Sequence, residues 1–151
     1  MTKRLLFCIS TLLIISIPLF SQTNAKGTLI LKFTGVRNSD GNIAIGINRS
    51  AEGWPRKADI ELGWPKKDIK DGVFIVKIPD FPFGTYAISV LDDENTDREI
   101  EMTMGIPREG YGFSNNPPTK LSAPKFEAAA FKFEQSDTEL SIELKYVAKM
   151  K

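Results

Sequence analysis

The chain has 151 residues, 20 Lys and Arg against 19 Asp and Glu, and no histidine. That near-neutral balance offers no electrostatic footprint for nucleic acid or an anionic membrane. The missing imidazole removes the commonest general base, the usual zinc ligand and the Ser-His and Cys-His nucleophile pairs.

The first 21 residues read as a signal peptide. Lys3 and Arg4 precede an apolar run, Leu5 to Phe20, that is interrupted by Ser10, Thr11, Ser16 and Pro18. The run is too short and impure for a good membrane span, and cleavage is placed after Ser21 rather than after Ala25. An exported, periplasmic or extracellular destination follows, with no integral span after cleavage. The single cysteine, Cys8, lies inside the apolar run, so the mature chain is expected to have none and to depend on its core rather than on disulfides. Residues 22–27 read as a linker, 28–147 as one domain and 148–151 as a frayed tail. A mature chain of about 130 residues buries roughly two-thirds of its unfolded surface.

Six segments alternate as half-buried strands do. Leu29, Leu31 and Phe33 form one face of the first, and Ile43, Ile45 and Ile47 one face of the second. The turn cluster Asn38-Ser39-Asp40-Gly41 between them predicts a hairpin. The small second face of strand two (Ala44, Gly46, Asn48) predicts close approach of another segment. Residues 50–71 break the pattern, with Gly53-Trp54-Pro55-Arg56-Lys57 echoed by Gly63-Trp64-Pro65-Lys66-Lys67. Their indoles read as caps on the core beside solvated lysines, the alternative being a sugar- or anion-contacting loop. Asn48-Arg49-Ser50 fits a glycosylation acceptor, usable only in a eukaryotic secretory host.

The third strand carries apolar residues on both faces (Val73 to Ile78), which predicts a central position. Gly84-Thr85-Tyr86 opens the fourth, with Tyr86, Ile88 and Val90 inward and the phenol expected to bond back to an upstream carbonyl. Ile100 to Met104 reads as a short strand. Phe126 to Phe133 enters a fifth good strand after one helical turn, and the last sets Leu140, Ile142, Leu144 and Tyr146 against a polar face. The expected fold class is all-β: an antiparallel two-layer β-sandwich, immunoglobulin-like or prealbumin-like, of about seven strands.

Two stretches carry the candidate sites. Asp93, Asn95 and Asp97 have the alternate spacing of a hard-cation loop, with Glu101 as a further ligand and Ile100 as an apolar anchor. Arg98 stands where such a loop wants glycine, and Met104 where it wants a bidentate glutamate. Ca²⁺ is therefore the one cofactor considered, bound weakly, against the alternative of a solvated acidic loop bonding its own backbone. A remote enzymatic reading would pair two of these carboxylates, or one with Glu109, for glycoside hydrolysis. The second stretch is Gly105-Ile106-Pro107-Arg108-Glu109-Gly110-Tyr111-Gly112-Phe113-Ser114-Asn115-Asn116. It reads as an ordered binding loop packed on the acidic one, anchored by Tyr111 or Phe113, with positive φ needed at Gly110 or Gly112.

The run Asp93-Glu94-Asn95, this twelve-residue motif, Gly84-x-Tyr86 and Ala128 to Ala130 resemble the bacterial family called domain of unknown function 2141. The resemblance implies a secreted or periplasmic single-domain sandwich without an established activity. It also implies His-Asp-Glu-Asn at 92–95, an Asn-Gly or Asp-Gly turn and a later Asp. Here Asp92 replaces the histidine, Arg98 falls at the turn glycine and Glu101 stands for the Asp. The reading that results is a non-enzymatic binding or interaction module of the cell envelope, with an envelope protein or saccharide as partner. A calcium-stabilised structural domain is the alternative.

Overall fold

In the computed structural model, which describes residues 25–119 and 122–147, β1 (Lys26–Thr34) turns Leu29, Leu31 and Phe33 into the core while its alternate side chains stay half-buried. The signal segment and the 148–151 tail lie outside the described residues. Pairing begins at Lys26, so residues 26 and 27, read above as linker, already belong to the strand. β1 is the middle strand of a three-stranded sheet, between antiparallel β4 (Phe74–Pro82) and parallel β10 (Thr138–Glu143). The second sheet runs β3 (Ile60–Pro65), β2 (Asn42–Asn48), β5 (Gly84–Asp93), β8 (Gly110–Phe113), with β9 (Phe131–Phe133) pairing the start of β5. A separate hairpin joins β6 (Met102–Thr103) to β7 (Ile106–Pro107), and one helical turn, α1 (Phe126–Ala129), precedes β9.

The two sheets face each other across one core. Leu29, Leu31, Phe33, Val76 and Ile142 come from the first, and Ile43, Ile45, Ile47, Tyr86, Ile88 and Val90 from the second. Each such aliphatic side chain contributes about 1.5–3 kcal/mol by leaving water. The all-β sandwich expected from the alternation is present, with ten strands, several very short, among the described residues. Tyr86 is 3% exposed and its hydroxyl donates to the Pro82 carbonyl at 3.0 Å, while its ring packs on Phe81 at 4.9 Å.

Three expectations are corrected. β1 and β2 do not form a hairpin: the link through Gly35 (φ +76°) dips Val36 into the core and crosses from one sheet to the other. The hairpin partner of β2 is β3, whose alternating Ile60, Leu62 and Trp64 are masked in the sequence by Gly63 and Pro65. β4 is an edge strand, and Ile75 on its outer face is 51% exposed. The pairing is also not wholly antiparallel, since β10 lies parallel to β1.

The segment before β3 folds back on the small face of β2. A Cβ on Gly46 would lie 3.1 Å from that of Ala58, and buried Asn48 donates to the Lys57 carbonyl at 2.8 Å. Asn48 is fully buried, so it cannot act as a glycosylation acceptor in the folded chain. Trp64 packs against the core. Trp54 seats between Phe113 and Phe126, at 5.8 and 6.1 Å, and donates its indole N–H to the Pro124 carbonyl.

Candidate functional site

Three inward-facing series run out at the same end of the sandwich. On β5 the sequence Tyr86, Ile88, Val90 continues to Asp92; on β3, Ile60, Leu62, Trp64 continues to Lys66; after β10, Ile142, Leu144 continues to Tyr146. Ile43 of β2 lies beside both Asp92 and Trp64 in the ladder, so the first two series end side by side. The alternation that fills the core therefore carries a carboxylate, an ammonium and a phenol into it.

They meet as a bonded group. The side chains of Asp92 and Lys66 are both fully buried and form an ion pair. Lys66 Nζ also donates to Asn38 Oδ1 at 2.9 Å, and Tyr146 Oη donates to the other Asp92 oxygen. Burial, reinforced by that bond to a carboxylate, pushes the Tyr146 phenol well above its ordinary range. A buried charge without a partner is very costly, so each member of this group requires the others.

A half-buried layer lies over it. Arg37 grips Glu94 bidentately at 2.6 and 2.8 Å and stacks over the Tyr146 ring with its guanidinium carbon 4.5 Å from the centroid. Asn38 Nδ2 donates to Glu94 as well, at 2.8 Å. The bond from Arg37, ahead of every other influence, holds the Glu94 carboxyl below its usual range. Gly110 opposes Asp92 in the β5–β8 ladder, and a Cβ there would lie 2.3 Å from Cε1 of Tyr146.

The acidic loop is organised by two inward carboxylates. Asp93, 1% exposed, accepts from the backbone N–H of Asp97 at 3.1 Å and of Arg98 at 3.2 Å. Glu109, 4% exposed, accepts from the backbone N–H of Glu94 at 3.2 Å and of Glu101 at 3.3 Å. Burial raises the Glu109 carboxyl above its usual range although both bonds act the other way. Its two oxygens are thus engaged in holding the loop.

The proposed cation ligands separate accordingly. Asn95, Asp97 and Glu101 come together, because Asn95 Nδ2 donates to Asp97 at 2.7 Å and to Glu101 at 3.2 Å. Asp93 does not join them, since both its oxygens face the backbone. Among the described residues no group of three or more His, Cys, Asp or Glu side chains is arranged to hold a metal ion. Ile100 is 44% exposed rather than an anchor, and Arg98 takes the left-handed conformation (φ +63°) that a glycine would take without strain.

The second stretch divides between structure and surface. Tyr111 and Phe113 are half-buried against each other, and Phe113 also packs on Trp54, so neither is an inserted anchor. The buried members are Glu109, Gly110, Gly112 and Ser114. Gly110 and Gly112 are required for close approach and not for positive φ: a Cβ on Gly112 would lie 2.8 Å from Ile142 and 2.9 Å from the Glu143 carbonyl. Ser114 bridges β5 to α1, accepting from Ile88 N–H at 2.8 Å and donating to the Ala129 carbonyl at 2.6 Å. Asn116 crosses to the other sheet, donating to Ser141 O at 2.9 Å and accepting from Glu143 N–H at 2.7 Å, while Asn115 donates to Ala130 O at 2.7 Å. These side chains clasp the sandwich shut. Gly105, Ile106, Asn115 and Asn116 remain exposed and Pro107 half-buried.

The model of the family described as "Uncharacterized protein conserved in bacteria (DUF2141)" matches residues 31–141, nearly the whole of this architecture. The chain belongs to that family. No curated protein and no solved structure matches it. Within the family's span lie Asp92, at the position where the resemblance implies histidine, and Lys66, Arg37, Asn38 and Glu94. Arg37 and Asn38 were in no candidate site read from the sequence; Asp92 and Glu94 belonged to the acidic loop and Lys66 to the second Gly-Trp-Pro copy, but nothing local showed that they meet. Tyr146 lies just beyond the matched residues.

Proposed function

We propose that this chain is an exported, non-enzymatic β-sandwich that serves as a binding or interaction module of the cell envelope. The observation that carries the reading is the division of labour in residues 92–116. Asp92, Asp93, Glu94 and Glu109, four of the carboxylates a hydrolase could use, are engaged in ion pairs or backbone bonds, and the exposed remainder carries, beside the polar residues 95–99, a hairpin with Ile100, Met102, Met104 and Ile106 outward. No helix among the described residues is long and apolar enough to cross a membrane. The apolar hairpin is a contact surface by its chemistry, since groups of exposed Ile and Met favour a partner over water.

The reading is tested with a photo-crosslinking residue in place of Met104, whose side chain is 97% exposed. In cells producing the protein, one adduct of defined mass is expected, with a crosslinker at exposed Lys132 giving none. No adduct at position 104, or the same smear at both positions, contradicts the reading.

A calcium-stabilised structural role is the second reading, favoured by the gathering of Asp97 and Glu101 oxygens around the Asn95 amide. Turning that amide over presents three oxygens to a cation, and the Asp97 N–H keeps its bond to Asp93. Three ligands with no bidentate glutamate give a weak site, with Kd about 10⁻⁴ to 10⁻³ M. In about 10 mM calcium such binding raises stability by roughly 1.4–3 kcal/mol. An unchanged melting temperature removes this reading.

A further inference from the structure

We infer that the 100–107 hairpin docks onto a second copy of this chain, in the groove bordered by Lys67, Lys70, Val73 and Ile75; this rests on the interaction-module reading above. Six large apolar side chains are exposed among the described residues, and four of them (Ile100, Met102, Met104 and Ile106) lie on this one hairpin. Among the described residues its strands pair only with each other. The base is nonetheless fixed, because Arg108 N–H donates to the Glu101 carbonyl at 2.9 Å and Glu101 N–H donates to Glu109. The tip is turned by Met104 (φ +51°) and Gly105 (φ +78°), which leaves the methionine in open solvent. A flexible, polarisable thioether held outward on a fixed base suits insertion into an apolar cleft.

The chain itself offers such a cleft. An open groove of about 430 Å³ is lined by Val73, Phe74 and Ile75 and edged by Lys67, Asp68 and Lys70. It flanks β4, whose outer edge is unpaired by any strand among the described residues. Ile75, a fifth of the six exposed apolar residues, lies in it. The charges match in sign. Exposed Asp97, Glu99 and Glu101 outnumber Arg98 and Arg108 around the hairpin, and with its flanking residues counted in the same way the groove sets Lys67, Lys70 and Lys77 against Asp68 and Asp71. Two hairpins placed tip to tip would oppose like charges, whereas hairpin against groove opposes unlike ones. A hairpin this short buries less than a standard interface, so the contact is weak and transient.

Sedimentation of the purified protein from about 10 µM to about 1 mM tests this, with the salt dependence expected of an ionic rim. The wild type is expected to sediment faster as concentration rises, and less so at high salt. Met104→Glu and Lys70→Glu, both changes at exposed positions, should each remain monomeric with unaltered circular dichroism. An equimolar mixture of the two should form a one-to-one dimer, because one supplies the intact groove and the other the intact hairpin. A wild type that stays monomeric, variants that associate like the wild type, or a mixture that does not pair overturns the inference. The crosslink at position 104 separates the two failures. An adduct of twice the chain mass supports self-docking. An adduct with another protein or with lipid keeps the module and overturns the second copy as its partner, and no adduct removes both.

Discussion

Replacing Lys66 by methionine keeps most of the side-chain volume and removes the ammonium that neutralises Asp92. Asp92 then stays fully buried with the Tyr146 hydroxyl as its remaining side-chain donor, and Asn38 Oδ1 loses its donor from Lys66. Breaking a buried ion pair by removing one partner typically costs about 3–5 kcal/mol, because the survivor's desolvation is no longer offset. Against a total stability of roughly 5–15 kcal/mol, that is a large fraction. It corresponds to a fall in Tm on the order of 10–25 °C for a domain of this size. Urea unfolding followed by the fluorescence of Trp54 and Trp64 measures it. Adding Asp92→Asn should recover part of the loss, since a neutral amide oxygen can still accept from Tyr146 and no net charge remains buried. A Lys66→Met protein within about 1 kcal/mol of wild type would show that the ammonium reaches water, and the description of a buried charged group would be wrong.

Tyr86→Phe should cost about 1 kcal/mol by leaving the Pro82 carbonyl without its partner, read by the same unfolding experiment. Gly110→Ala should cost about 1–3 kcal/mol, because the Tyr146 ring that a methyl would strike is held by Arg37 and Asp92 and cannot yield freely. Tyr146 contributes at the alkaline limit. Its phenol is raised in the folded state, so its contribution is present below the unfolded value near 10 and is lost as pH rises beyond it. Alkaline unfolding of the wild type should therefore be accompanied by tyrosine ionisation in ultraviolet absorbance, and Tyr146→Phe should remove one tyrosine from that step. Glu94 acts at the other limit: its lowered carboxyl contributes above about pH 4.3 and the contribution disappears as pH falls through the folded value. Glu94→Gln should accordingly flatten the acid limb of a stability–pH curve.

The sandwich was legible because alternation at period two is a strong signal wherever one face is buried, as in β1, β2 and β5. The polar group was legible in part. Extending the inward series of β5 by one step reaches Asp92, and a carboxylate at an inward position demands a cation. Lys66 was hidden behind Gly63 and Pro65, which obscured β3, and its place opposite Arg56 in the repeated Gly-Trp-Pro segment suggested a solvated cation. Arg37 and Asn38 gave no local sign, because a turn segment has no period and their partner Glu94 lies 56–57 positions away. Gly110 or Gly112 was read as needing positive φ, because a sequence does not distinguish a glycine needed for its φ from one needed for its missing Cβ. The pairing order failed for a related reason. A turn cluster says that the chain reverses, not which sheet it enters next.

The central claim is that residues 92–116 form a fixed structural clasp from which one apolar hairpin projects, and amide hydrogen exchange across that stretch tests it most directly. The N–H groups of Glu94, Asp97, Arg98, Glu101, Arg108, Tyr111 and Ser114 all have acceptors. They should exchange slowly, while those of Met104 and Gly105 at the turn exchange fast. Uniformly fast exchange from 92 to 116 would contradict the clasp, and uniformly slow exchange including the tip would contradict the projecting hairpin.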